Sequence, residues 1–582
     1  MFRAIRGKIF LKYKIKKMKN IIFKLLITFN FSLITYNVSI AQTKADTLPT
    51  LDEVDIIKAY EPILISSNKV PFSPSLPDIA KAKPDPQTYS YNDVKGKIAY
   101  QPEDIRPIRV GQKKAEKNQF IYAKIGFGYP LAALAKIIIT NPIQTKYKAG
   151  LDADFLFSKN NKPKFQQFTD LKIKGFGEAY IKKMAAVGGE LYYQLGQYNY
   201  YGYSDVILNR DSLKTNFNRF GGKVNIRNIN DADYMYKLDV DFASVINKNV
   251  YHKPKELTIA VNAEFNYNFK KNYWAGAKLN VTNVSYNDNY KDTINTALNK
   301  QNHLSLNVTP YFQIKYKIWK LMLGPNIVIT NRNVYILPEF HNVLSIYKDY
   351  FVMYNEWTNQ VKINSLNNLS IENPFVNTRN YTNSLDEKRT FIGLRGSVKG
   401  FGYDVNFSQL VSHSNSQFVT NFDSTTLVNE PMFDVHTIYK LKAWNPHITL
   451  SYNKGSQFGA KVWFDYFVYN KNTAVELSYI PSIKAGFSAF YNWKDKLLVN
   501  IDIEGRSKVN AVQNQTGAVI PFVRSVVPIK GLIDINLSAN YFITKNIGVF
   551  VDVNNVAFQK WQRYYNYPTY QFQVIAGAKL SF

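Results

Sequence analysis

Six histidines, His252, His303, His341, His413, His436 and His447, are the residues best suited to metal binding or proton transfer, and they stand far apart in the chain. None repeats at the short spacing by which one element offers two ligands to zinc. His413-Ser414-Asn415 groups three residue types found in hydrolases. A hydrolase needs its base and nucleophile to converge, whereas neighbours in an extended strand point to opposite faces. Gly126-Phe127-Gly128 and Gly175-Phe176-Gly177 lack the following helix that a phosphate loop requires, and they read as places of strand bending. Asp288, Asn289 and Asp292 offer oxygens to calcium without EF-hand spacing. No cysteine occurs, which excludes disulfide frameworks, thiolate zinc sites, thiol catalysis and a lipid-anchored mature N-terminus. The chain therefore reads as a non-enzyme with no catalytic residue, no metal site and no cofactor.

The elements that carry these residues explain why no catalytic constellation forms. Of 582 residues 46% are hydrophobic and 15% aromatic, with Tyr 42 and Phe 39, too many for a disordered polymer. After residue 41 every apolar run is short and broken by Asn, Asp or Lys, so multi-span helical membrane folds are excluded. Residues 1–24 carry nine basic side chains and no acid, and the mostly apolar stretch that follows ends in Ser39-Ile40-Ala41. Residues 1–41 read as a secretory signal peptide, cut after Ala41, with Met18 as an alternative start. Its removal takes the formal charge from +30 to about +21. The remaining Lys and Arg are scattered through strand patterns and turns, which fits a polar lumen or an anionic lipid surface and not nucleic acid.

Residues 42–118 hold nine prolines, from Pro49 to Pro107, and read as an extended periplasmic or partly luminal segment. From residue 119 to 582 a two-residue alternation dominates. In 257–269, Leu257, Ile259, Val261, Ala263, Phe265, Tyr267 and Phe269 share one face, and Thr258, Ala260, Asn262, Glu264, Asn266 and Asn268 the other. A tilted strand crossing a bilayer needs about 9–11 residues, against about 5–6 for a globular strand, and this one is longer than either. The pattern recurs as twenty-two segments. Connections are tight near 182–183, 270–271, 316–317, 348–349, 400, 454–455, 493–495 and 544, and long near 202–214, 288–299, 362–388, 415–432, 471–480, 509–529 and 558–568. Short and long connections fall on opposite ends, as a closed antiparallel membrane barrel requires. The fold expectation is all-β: a transmembrane antiparallel β-barrel of about 22 strands, with any even count from 18 to 22 compatible, in the outer membrane and bounded by its lipids.

The last strand places Tyr570, Phe572, Leu580 and the terminal Phe582 on one face. It resembles the terminal signal that the outer-membrane insertion machinery reads. Three further stretches resemble the TonB-dependent receptor superfamily in its compact, plug-poor Bacteroidota form. Leu51-Asp52-Glu53-Val54-Asp55-Ile56-Ile57 is similar to the Ton box, a segment that adds as a strand to TonB. Residues Ser365 to Val376 look like an extracellular loop motif of that group, and Asn554 to Pro568 resembles its last hairpin. The resemblance implies reception or transport of a bulky ligand across the outer membrane, with TonB or a surface lipoprotein as partner. It also implies a plug domain of well over a hundred residues, longer than 42–118. The alternative is a non-transporting barrel subunit of an assembly or secretion complex. The aromatic group Trp561, Tyr564, Tyr565 and Tyr567 in the last long loop is the candidate ligand patch.

Overall fold

The structure is a computed structural model, and it describes residues 120–582 apart from 142–145, 183, 203–213, 230–232, 249–252, 289–299, 332, 378–382, 424–427, 471–475 and 517–523. The expected signal peptide and the segment 42–118, with Leu51 to Ile57, lie outside the described residues.

Twenty-two staves form one closed antiparallel barrel, as the alternation predicts. The first strand, Ile121–Tyr129, pairs with the last, Gln573–Ser581, from Tyr122↔Ser581 to Tyr129↔Val574, and this seam removes the sheet's two edges. One stave is interrupted at Phe467, with Phe458–Tyr466 and Val468–Asn470 both paired to the same neighbour. A further hairpin, Val509–Thr516 with Arg524–Ile529, leaves the wall between two staves that pair directly with each other.

The two faces of each strand are sorted by solvent. In Lys255–Lys270 the side chains of Leu257, Ile259, Phe265, Tyr267 and Phe269 are exposed on the outer surface, while Glu256, Asn266 and Asn268 are buried inside. Ile336 is 72% and Phe127 70% exposed, values that an aqueous surface would penalise and a lipid surface rewards. The terminal strand follows the same rule: Ala576, Ala578, Leu580 and Phe582 are exposed and Ile575 is buried. Tyr570 and Phe572 precede it, with Phe572 stacked on Phe558 at 4.5 Å.

Most tight turns sit at one end of the barrel and most long loops at the other, where Pro130-Leu131 between the first two strands is also a short connection. Most strands run 9–17 residues, but Phe401–Asp423 and Val428–Lys454 reach 23 and 27. Both are far longer than the roughly 9–11 residues a bilayer demands, so they continue past the apolar band at the long-loop end.

At the closing seam Gly577 lies opposite Gly126, and a Cβ on Gly577 would collide with the Ile125 carbonyl oxygen and the Gly126 Cα. Gly577→Val is therefore expected to prevent closure, whereas Ala576→Val, on the exposed face, is tolerated. Electrophoresis without boiling checks this: the Gly577 variant should lose the fast-migrating folded band that the Ala576 variant keeps.

Candidate functional site

The lumen wall carries charge pairs at inward positions, some between adjacent strands and some reaching across one or two intervening strands. Lys124 Nζ lies 2.7 Å from Asp552 and Lys136 Nζ 2.7 Å from Asp154. Lys223 reaches Asp239 at 3.4 Å and Lys278 reaches Glu339 at 3.2 Å. His341 stands between Glu339 at 3.4 Å and Glu356 at 3.6 Å, and His447 Nδ1 is 2.9 Å from Asp465. These pairs give the wall a polar surface. These histidines serve in wall pairs; among the described residues no group of three or more His, Cys, Asp or Glu is placed to hold a metal ion. His413 is exposed.

The long-loop end is different, because an apolar core fills it. Phe375, Phe433, Tyr479, Tyr564 and Tyr567 pack with Leu366, Leu369, Phe217 and Tyr200 in one buried cluster. Phe375 stacks on Tyr567 at 4.0 Å, Phe433 meets Tyr564 at 5.2 Å, and Tyr479 meets Tyr564 edge-on at 5.3 Å. Such ring pairs contribute roughly 0.5–1.5 kcal/mol each beyond area burial. The helix Leu366–Glu372 with the residues after it, the tops of the two longest strands, the 509–529 hairpin, Tyr479 and the last loop meet here, against Phe217, Val245 and Tyr286 from the wall. The hairpin is tied to the wall by a parallel pairing, Thr420↔Gln513 to Asp423↔Thr516.

The helix is fixed by its own sequence at one end and by the barrel wall along its length. Ser365 caps it, accepting from the Asn368 N–H at 3.1 Å. Glu256, an inward wall residue only 2% exposed, accepts from the Leu366 N–H and from the Asn367 N–H at 3.1 Å. Arg219, 3% exposed, donates to Asn367 Oδ1 at 3.0 Å and to Ser370 Oγ at 2.8 Å. At the far end Tyr564 donates to the Glu372 carbonyl at 2.9 Å and Arg563 at 3.2 Å. Asn377 donates to Asp434 at 2.7 Å, and the backbones of Val376 and Phe433 form a parallel bridge. Burial pushes the Tyr479 and Tyr564 phenols up, so both stay neutral. The Tyr479 oxygen accepts from the Tyr565 N–H at 3.2 Å.

The candidate ligand patch is therefore split. Tyr564 and Tyr567 lie inside the core, with exposures of 3% and 2%, and in this closed arrangement present no face to a ligand. Tyr565 packs against the cluster from outside. Trp561 is half-buried, and its indole N–H is enclosed without a partner among the described residues. Burial pushes the neighbouring Tyr570 phenol up to about 12. Ser365 to Val376, expected in an extracellular loop, is at the long-loop end, but folded inward as the cap.

Sequence reasoning missed the helix, the hairpin and the two anchors Arg219 and Glu256. A signal for the helix was present in the Ser365 cap with Leu366 and Leu369 three apart. Nothing local connects Glu256 to a helix some 110 positions away.

The architecture has solved counterparts. The siderophore receptor PirA from Acinetobacter baumannii superposes with a TM-score of 0.61 at 12% identity, covering 79% of this chain and 80% of that one. The FrpB iron transporter from Neisseria meningitidis gives 0.60 at 10% identity, with 80% and 82% covered. The ferric enterobactin receptor of Pseudomonas aeruginosa gives 0.61 at 9% identity, with 79% and 80% covered. The barrel shares its fold with these receptors and this transporter. No protein-family model matches the sequence, and no curated protein matches it.

Glu256→Gln removes the charge from two helix N–H bonds, and Arg219→Ala removes two side-chain bonds. Each is expected to destabilise the capped state by roughly 1–3 kcal/mol. Limited proteolysis of the intact barrel should then cut between residues 364 and 383 faster than in the wild type, with the barrel's melting temperature little changed.

Proposed function

We propose that this chain is an outer-membrane receptor that takes a bulky ligand at its long-loop face and admits it to the polar lumen when the aromatic cap opens. The observation that carries this reading is the contrast within one channel: a charge-paired, wet wall closed at one mouth by an apolar core built from loops. A purely structural barrel has no need of a removable seal, whereas a receptor needs one, because 22 strands enclose a lumen wide enough to leak. Similar structures include a siderophore receptor, an iron transporter and a copper transporter, which supports the same class. They support a non-enzymatic role for this chain as well.

In this reading residues 1–41 are the export signal, 42–118 the periplasmic or luminal segment, and Leu51 to Ile57 the contact for TonB. The final strand, with Leu580 and Phe582 on its lipid face, is what the insertion machinery reads. Trp561 and Tyr565, at the edge of the cap, are the better-placed members of the aromatic patch for first contact with ligand. A surface lipoprotein is the natural partner for the outer side of the cap. TonB and that lipoprotein are two different handles on the same gate, one from each side.

The test is a reversible staple. Val376→Cys with Phe433→Cys, in a chain that has no cysteine of its own, links the two backbones bridged across the cap. In cells producing the chain, uptake of radioiron-loaded siderophores should fall in the oxidised variant, return on reduction, and vanish on deletion of residues 51–57. Uptake indifferent to both changes rejects the import reading. Recovery of insertion or secretion machinery in fixed ratio from mild detergent would then make the barrel a structural subunit.

A further inference from the structure

The short turns carry lysine where turn geometry asks for something else. Lys182, Lys317, Lys348, Lys399 and Lys494 each adopt a left-handed backbone, with φ between 44° and 53°. In tight hairpins that conformation favours Gly, Asn or Asp, and any residue with a long side chain is strained there. The turn Lys399-Gly400 places both residues at positive φ, and so does Lys494-Asp495. One other described lysine is left-handed, Lys440, within the long strand Val428–Lys454. The five thus mark one end of the barrel, spread over five separate turns around the rim.

All five are exposed, and none of them enters an ion pair among the described residues. Two acids, Asp349 and Asp495, share their turns; Asp495 is turned back to accept from Asn492 at 2.7 Å. Beside the lysines stands a belt of outward rings: Tyr316, Tyr347, Phe401, Tyr452 and Trp493 are 41–60% exposed. Lys317 leans over Tyr316 at 5.4 Å and Lys494 over Trp493 at 5.6 Å. Aromatic belts settle at the boundary of hydrocarbon and headgroup, so a lysine one residue further along reaches the depth of the lipid phosphates.

We propose that this lysine rim is a binding surface for anionic phospholipid headgroups in the leaflet at the short-turn end. The strained turns are kept because they aim five ammonium groups at one depth around the rim, where each neutralises a phosphate. The surface orients the barrel along the membrane normal and gathers acidic lipid around it. This rests on the membrane embedding in the preceding reading and not on import.

The test replaces the five lysines with asparagine, which accepts the left-handed conformation, so the variant is expected to fold at least as well as the wild type. Full-length protein is reconstituted in bilayers of phosphatidylcholine alone and with phosphatidylglycerol added, and the lipids retained on mild extraction are identified by native mass spectrometry. The wild type should retain phosphatidylglycerol preferentially, and the five-fold variant should lose at least about fivefold of that preference. As a measurement independent of any variant, the wild-type preference should fall steeply as salt rises. Equal retention of phosphatidylglycerol by both proteins, or a preference unmoved by high salt, overturns the proposal. Failure of the wild type to insert into either bilayer removes the embedding on which it stands.

Discussion

A backbone in hydrocarbon has no water to bond, so every N–H and C=O of a spanning strand must find its partner in a neighbouring strand, and the sheet must have no edge. Most other features of this molecule depend on that constraint. It demands closure, which is made where Ile121–Tyr129 meets Gln573–Ser581 and where Gly126 and Gly577 let two backbones approach without side chains between them. It also demands that the pleat's two faces separate two solvents, because side chains alternate in and out at every residue. The apolar outer band and the charge-paired lumen are consequences of one alternation.

Closure creates the second problem, a wide polar passage. The chain answers it with material that the sheet itself does not need. The two longest strands overshoot the membrane, a hairpin leaves the wall, and a seven-residue helix is seated on Glu256 and Arg219. A helix this short is unstable alone, since nucleation costs more than a few hydrogen bonds return. Its order comes from the wall's two charged side chains and from the rings of Phe375, Phe433, Tyr564 and Tyr567. A cap so held is cooperative, and losing one anchor weakens the whole.

The two ends of the barrel are organised by different physics. At the long-loop end apolar rings gather away from water and close the channel. At the short-turn end rings face lipid, and lysines beyond them face its headgroups. The same residue types therefore do opposite work, sealing in one place and anchoring in the other.

Much of the wall is legible in the amino-acid order, because strand alternation and turn length are local signals. Leu257 to Phe269 announce their lipid face within thirteen residues, and twenty-two such segments with consistent turn parity leave one architecture. The seal is not legible in the same way. Tyr564 and Tyr567 are visible as an aromatic pair, yet whether rings in a loop greet a ligand or pack into a core depends on Phe375 and Phe433, more than a hundred residues away. Glu256 continues the polar face of its strand like Glu264, and only folding shows that it holds a helix while the other lies in the wall. By itself the amino-acid order determined the barrel, since a period of two needs only neighbours. The tertiary structure decided what closes it, because loops acquire their meaning from the residues that closure brings together.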